Sequence, residues 1–152
     1  MLNQIDKISG IGLNLDLTLR KVQEAYLRKF QELNLDLTIE QWVILYRIYQ
    51  LGGISSQSDI VKSNFRNRAT TSRVIGRLKH KKWIVKTRFN DDKKRFKLEL
   101  TEQGKMVVEI IEPHANILRK QAVKGLDDIE FQTFLKVLNT ISVNYDTDSK
   151  LS

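Results

Sequence analysis

Apolar residues recur at Ile8, Ile11, Leu15, Leu19, Val22, Tyr26, Phe30 and Leu33 in steps of three and four, the spacing of one face of an α-helix. This predicts a first helix from about Gly12 to Leu33. A second stripe, Leu13, Leu17 and Leu27, widens the apolar face. A helix apolar on two sides is expected to pack against more than its own domain.

Caps announce the later helices. Thr38-Ile-Glu-Gln41 is a capping box that opens a helix through Tyr49, and Gly52-Gly53 supplies the positive φ that closes it. Ser56-Gln-Ser-Asp59 opens a short helix from Gln57 to about Ser63. Asn67 caps the next, to about Lys81. Thr101 caps a long one, Glu102 to about Val123, in which Pro113, the single proline, is expected to introduce a kink or a break. Asp127-Asp-Ile-Glu130 opens the last, to about Tyr145, with a flexible polar tail over 147–152.

Trp83 to Phe89 and Arg95 to Leu100 alternate as strands do. Trp83, Val85, Phe96, Leu98 and Leu100 are expected inward, and Lys86, Arg88, Arg95, Lys97 and Glu99 outward. Asn90-Asp91-Asp92 is turn chemistry between them. The order α-α-(β)-α-α-β-β-α-α predicts a mainly α fold with a small β-hairpin wing. A winged helix-turn-helix at 35–101 is flanked by helical association regions at 1–34 and 102–146.

Charge sharpens this picture. Between Arg66 and Lys97 stand thirteen Lys/Arg and two acids, Asp91 and Asp92, a net +11 in a chain whose total is +8. A basic block in an otherwise mildly acidic protein is the footprint of a polyanionic partner. No apolar run approaches the roughly 18 residues of a membrane span. Met1 to Ser9 lacks the apolar core of a secretory signal. The chain has no cysteine, and its two histidines, His80 and His114, cannot by themselves build a zinc site. These features fit a cytoplasmic protein, and no cofactor is implied. With no phosphate loop, metal spacing or nucleophile–base motif, an enzyme is not expected.

The helix at 67–81 has two faces. Thr71, Val74, Ile75 and Leu78 are spaced to bury. Arg66, Thr70, Arg73 and Arg77 run along another side, flanked by Arg68, Ala69, Ser72 and Gly76. Small residues allow close approach to base edges, arginines offer bidentate donors to guanine or phosphate, and hydroxyls bond to either. This is the chemistry of a helix in a major groove. The hairpin tip adds Lys93, Lys94 and Arg95. The candidate DNA-binding residues are therefore Arg66, Asn67, Arg68, Thr70, Ser72, Arg73, Arg77, Lys93, Lys94 and Arg95.

These blocks resemble the MarR family of transcriptional regulators. The resemblance runs through Leu37-Thr-Ile-Glu-Gln-Trp42-Val-Ile-Leu45, Ser58-Asp59-Ile60-Val61, Thr70-Thr-Ser-Arg73-Val-Ile-Gly-Arg77-Leu78, Asp92-Lys-Lys94 and Leu100-Thr101-Glu-Gln-Gly104. It implies a homodimer formed by the first and last two helices, and a repressor of a palindromic operator that a small aromatic effector releases. It also implies that Arg73 is the recognition-helix arginine and Asp92 the wing aspartate. Lys94 replaces the usual wing arginine, Lys82 stands where glycine is usual, and Asn64 takes an apolar position that Phe65 compensates. Tyr26, Phe30, Trp42, Tyr46 and Tyr49 are the candidate effector pocket, or else simply core. The alternative function is a winged helix used for protein–protein contact without sequence-specific DNA binding.

Overall fold

A computed structural model describes residues 10–63 and 67–148. Among these are six helices and three strands: α1 Ile11–Glu32, α2 Ile39–Gln50, β1 Ile54–Ser56, α3 Gln57–Ser63, α4 Arg68–His80, β2 Ile84–Arg88, β3 Phe96–Leu100, α5 Glu102–Ala122 and α6 Asp128–Asp148. The expectations for Met1 to Ser9, Asn64, Phe65 and Arg66, and for the tail beyond Asp148, lie outside the described residues. The last helix runs three residues past Tyr145. The chain divides into two compact units that part between Asn116 and Ile117.

Local hydrogen bonds start the helices where the sequence places them. Thr38 and Gln41 form a reciprocal capping box, with Gln41 N–H donating to Thr38 Oγ1 at 3.2 Å and Thr38 N–H to Gln41 Oε1 at 3.3 Å. Asp127 and Glu130 repeat that exchange at 2.8 and 2.9 Å. Ser56, Asn67 and Thr101 accept from the backbone N–H groups of Asp59, Thr70 and Gly104. Each cap satisfies N–H groups that have no partner inside the helix.

The first unit holds the core. Phe30 of α1, Ile44, Leu45 and Ile48 of α2, Ile60 of α3, Ile75 and Leu78 of α4, Ile84 and Leu98 of the sheet, and Val108 and Ile111 of α5 are buried together. The sheet is antiparallel in the order β1-β3-β2. α5 runs unbroken through Pro113, which corrects the expectation of a break. The proline removes one helical hydrogen bond at an exposed position. Val107, Val108, Ile111 and Ala115 are buried on the same helix and hold it in place.

β2 faces opposite to expectation. Ile84 is buried and Val85 is 45% exposed. Ile84, Lys86 and Arg88 lie across from Leu100, Leu98 and Phe96. Directly paired residues share a face, and a shift of one residue exchanges the faces. Lys86 and Arg88 therefore belong to the face of Phe96, not to the outer one.

The shift originates where α4 ends. Trp83 N–H donates to Leu78 O at 3.1 Å and Lys82 N–H to Lys79 O at 2.9 Å, the paired bonds of a Schellman motif. That motif needs a left-handed residue, and Lys82 supplies it with φ 61°. The lysine thus makes the turn that a glycine would make. Trp83 is consumed by the turn, and Ile84 becomes the first inward strand residue. Trp83 O then accepts from Thr101 N–H at 3.1 Å, while the Thr101 hydroxyl donates to Lys82 O at 2.7 Å. At Gly104, a Cβ would stand 2.0 Å from Trp83 O.

Gly104→Ala should therefore cost about 3 kcal/mol, because a backbone carbonyl cannot yield as a side-chain end can. Lys82→Gly should stabilise by about 0.5–1 kcal/mol, the left-handed penalty less the extra chain entropy of glycine. Denaturant unfolding of both variants checks the two signs.

Candidate nucleic-acid interface

α4 buries Thr71, Val74, Ile75 and Leu78, the four positions its spacing predicts. The same rotation exposes Arg68, Ala69, Arg73, Gly76 and Arg77. Asn67 is spent on the cap, its Oδ1 accepting from Thr70 N–H at 2.8 Å.

A groove of about 510 Å³ opens beside the first half of α4. Its lining includes Ser56, Gln57, Ser58 and Lys62 from β1 and α3, Arg68 and Ser72 from α4, and Lys86, Lys94, Arg95 and Phe96 from the wing. Five cations thus face one cleft, with no carboxylate among the described lining residues. Of the expected DNA-binding residues, the structure brings Arg68, Ser72, Lys94 and Arg95 together here. Thr70, Arg73 and Arg77 border a separate hollow of about 300 Å³ with Thr38, Glu40, Gln41 and Val74. Arg73 Nη2 donates to Thr70 Oγ1 at 3.4 Å. Lys93 is exposed at the hairpin tip, and Arg66 lies outside the described residues.

Two groove cations escaped sequence reasoning. Lys62 falls before the dense basic block and carries no local signal. Lys86 was placed on the outer face, and only the β2 register turns it inward. Its Nζ stands 4.1 Å from the centroid of the Phe96 ring, with the Arg88 guanidinium 5.2 Å from the same ring. A cation over an aromatic face is attracted by the ring quadrupole, so Phe96 orients both.

The wing tip is braced. Lys94 N–H donates to Asp92 Oδ1 at 3.0 Å and Arg95 N–H to Asp92 O at 3.1 Å. Arg88 Nη1 donates to Lys93 O at 2.6 Å. The Arg95 guanidinium stands 4.8 Å from the Phe89 ring centroid. Asp92 is therefore a turn-forming residue whose side chain holds the backbone of Lys94.

The aromatic residues form a stack. Tyr26 and Phe30 meet edge to face at 6.3 Å, Phe30 and Trp42 at 6.2 Å, and Trp42 and Tyr46 stack at 5.0 Å. Trp42 and Tyr46 also line a cavity of about 180 Å³ with Val43, Ile44, Arg47, Gln50, Ile60 and Ser63. Tyr26, Phe30 and Tyr49 do not border that cavity. Phe30 is buried, and Tyr26 and Tyr49 are packed against the core.

A capped helix-turn-helix, a basic α4 and a braced cationic wing define a winged-helix DNA-binding lobe. Residues 37–96 match the model of the MarR family. The chain is 30% identical over 117 residues to the helix-turn-helix-type transcriptional regulator YybA of Bacillus subtilis (strain 168), covering 76% of each protein. The chain belongs to the MarR family, whose members are transcriptional regulators and not enzymes. Its fold is that of a mutant MarR from E. coli crystallised with operator DNA, with a TM-score of 0.77 at 19% identity over 92% of this chain and 99% of that one. It is also that of BpsR from Bordetella bronchiseptica, with a TM-score of 0.76 at 23% identity over 93% of this chain and 98% of that one.

Asp92→Ala should release the Lys94 amide. Its hydrogen exchange should quicken roughly five- to tenfold, the loss of about one hydrogen bond, while amides of α4 stay unchanged.

Proposed function

We propose that this regulator represses transcription by binding a palindromic operator as a homodimer, and that a small aromatic effector releases it. The observation that carries the reading is the groove where Lys62, Arg68, Lys86, Lys94 and Arg95 converge beside α4. Cations on a helix and on an adjacent hairpin suit a helix in the major groove and a wing on the neighbouring backbone or minor groove. α4 also carries Arg73 and Arg77 exposed on its other side, so both its flanks can meet the duplex. A protein-docking wing would not need this segregation of charge. The protein acts in the cytoplasm, and no described helix is long and apolar enough to cross a membrane.

Dimerisation is assigned to 1–34 and 102–146, and DNA reading to 35–101. α1 has 22 residues and buries only Phe30. Ile11, Leu13, Leu17 and Leu19 on α1, and Ile129, Phe134, Val137 and Val143 on α6, are exposed. Apolar area of this extent is covered in solution, and a two-fold interface does so with the same surface on each copy. Sedimentation should find a dimer at micromolar concentration, with an interface above about 2,000 Å²; a monomer would refute the assignment.

BpsR is a regulator whose DNA binding 6-hydroxynicotinic acid regulates. Here the stacked Trp42 and Tyr46, with Arg47 on the same cavity, suit an aromatic acid. Because the chain has no cysteine, release proceeds without thiol oxidation.

Duplexes selected from random-sequence DNA should carry an inverted repeat with half-sites about 10 bp apart. Affinity should fall with salt by a log–log slope of about −0.9 per phosphate neutralised. Arg73→Ala should cost about 1–3 kcal/mol and relax preference at one position of each half-site. Lys94→Ala should weaken specific and scrambled duplexes about equally and flatten the slope. The opposite pattern in the two variants would overturn these roles.

A further inference from the structure

We infer that Lys81, although it sits within the basic block, is no DNA contact but a positioning residue that sets the angle of α4 on α2. The inference rests on the DNA-binding reading above. Lys81 is the C-cap of α4, and its side chain crosses to the loop before α2. Nζ donates to the backbone carbonyl of Asp36, and to Gln41 Oε1 at 3.1 Å. It also stands 3.1 Å from Asp36 Oδ2 and 4.7 Å from the centroid of the Trp83 ring. An ammonium has three N–H donors, and three protein oxygens surround this one. Two of the donors go to the Asp36 carbonyl and Gln41 Oε1, and the third side faces the Asp36 carboxylate, whose negative charge repels a phosphate.

The partners differ in weight. The Asp36 side chain is 97% exposed, and an ion pair in water contributes little. Gln41 is only 3% exposed and already closes the α2 capping box through the same Oε1. Lys81 therefore extends that box from the start of α2 to the end of α4, in a partly desolvated place where a charge-assisted hydrogen bond is strong. The ring of Trp83, next to the left-handed Lys82, flanks the ammonium.

The geometry makes this end of α4 a pivot. α4 has 13 residues; at 1.5 Å per residue, a tilt of about 10° about its C-terminal end moves the first turn by roughly 3 Å. That displacement exceeds the tolerance of a hydrogen bond to a base edge. Arg68 and Ser72 would leave the groove lined by the wing, while the net positive field, which governs non-specific binding, would hardly change. Lys81 thus serves discrimination between sequences rather than attraction to DNA.

Two measurements test this. In the free protein, limiting acylation of lysines with an N-hydroxysuccinimide acetate, read by peptide mass spectrometry, should modify Lys81 at least about fivefold more slowly than exposed Lys79 or Lys82. Adding random-sequence duplex DNA should protect Lys62, Lys86 and Lys94 and leave Lys81 as it was. If Lys81 reacts like Lys79 when free and becomes protected only by DNA, the inference is wrong. The second measurement compares a duplex selected by the wild-type protein with a scrambled one. Lys81→Met should cut the preference about tenfold and leave the salt slope within about 0.3 of wild type, whereas a lost phosphate contact flattens it by about 0.9. Gln41→Met, which removes no charge, should reproduce the loss, and Gln41→Glu, which keeps the acceptor, should restore it. A flattened slope in Lys81→Met with preference retained would overturn the proposal. If the wild-type protein selects no duplex, the DNA-binding reading fails instead, and acylation of the free protein still decides whether Lys81 is clamped. It also decides should Lys81→Met not fold.

Discussion

The chain reversal at Lys81, Lys82 and Trp83 governs how the DNA-binding lobe is assembled. One backbone carbonyl, that of Trp83, accepts from Thr101 and lies so close to Gly104 that no side chain fits between them. The end of α4, the start of β2 and the start of α5 are thereby joined within a few residues. Because the Schellman turn uses Trp83, the inward face of β2 begins at Ile84. From that follows the placement of Lys86 and Arg88 opposite Leu98 and Phe96. The presence of Lys86 in the groove is thus a consequence of how one helix ends.

The lobe uses its cations in three ways. Lys62, Arg68, Lys86, Lys94 and Arg95 border the cleft. Of the wing cations, Lys86, Arg88 and Arg95 are set on the rings of Phe96 and Phe89, which orients them. Lys81 turns its ammonium to the Asp36 carbonyl, the Asp36 carboxylate and Gln41 Oε1. A count of positive charge cannot separate these uses, because each is decided by what surrounds the nitrogen.

The apolar surfaces divide in a parallel way. α2, α3 and α4 bury their stripes within the first unit, whereas α1 leaves most of its stripe exposed. α6 has exposed Phe134, Val137 and Val143. The first helix reads as apolar on two sides, yet Phe30 is the residue it buries in the core.

Much of this was legible in the sequence wherever the determining interaction spans four residues or fewer. The caps at Thr38, Ser56, Asn67, Thr101 and Asp127 are such interactions. So is the buried face of α4, since a helix has one period and a strongly apolar set can bury in only one rotation. Strand facing is different, because it depends on the residue at which pairing begins, and a single residue used in a turn inverts it. Val85 was misplaced for that reason, and with it Lys86 and Arg88. A break at Pro113, one of the two outcomes expected there, does not occur: the chain alone shows the missing hydrogen bond and not the buried residues that hold the helix around it. The meeting of Lys62 with Lys86, and of Lys81 with Asp36, joins residues 24 and 45 positions apart. Pairings at that distance are set by how helices and sheet pack, so the tertiary structure alone decided which lysines face the cleft and which one is held by the protein.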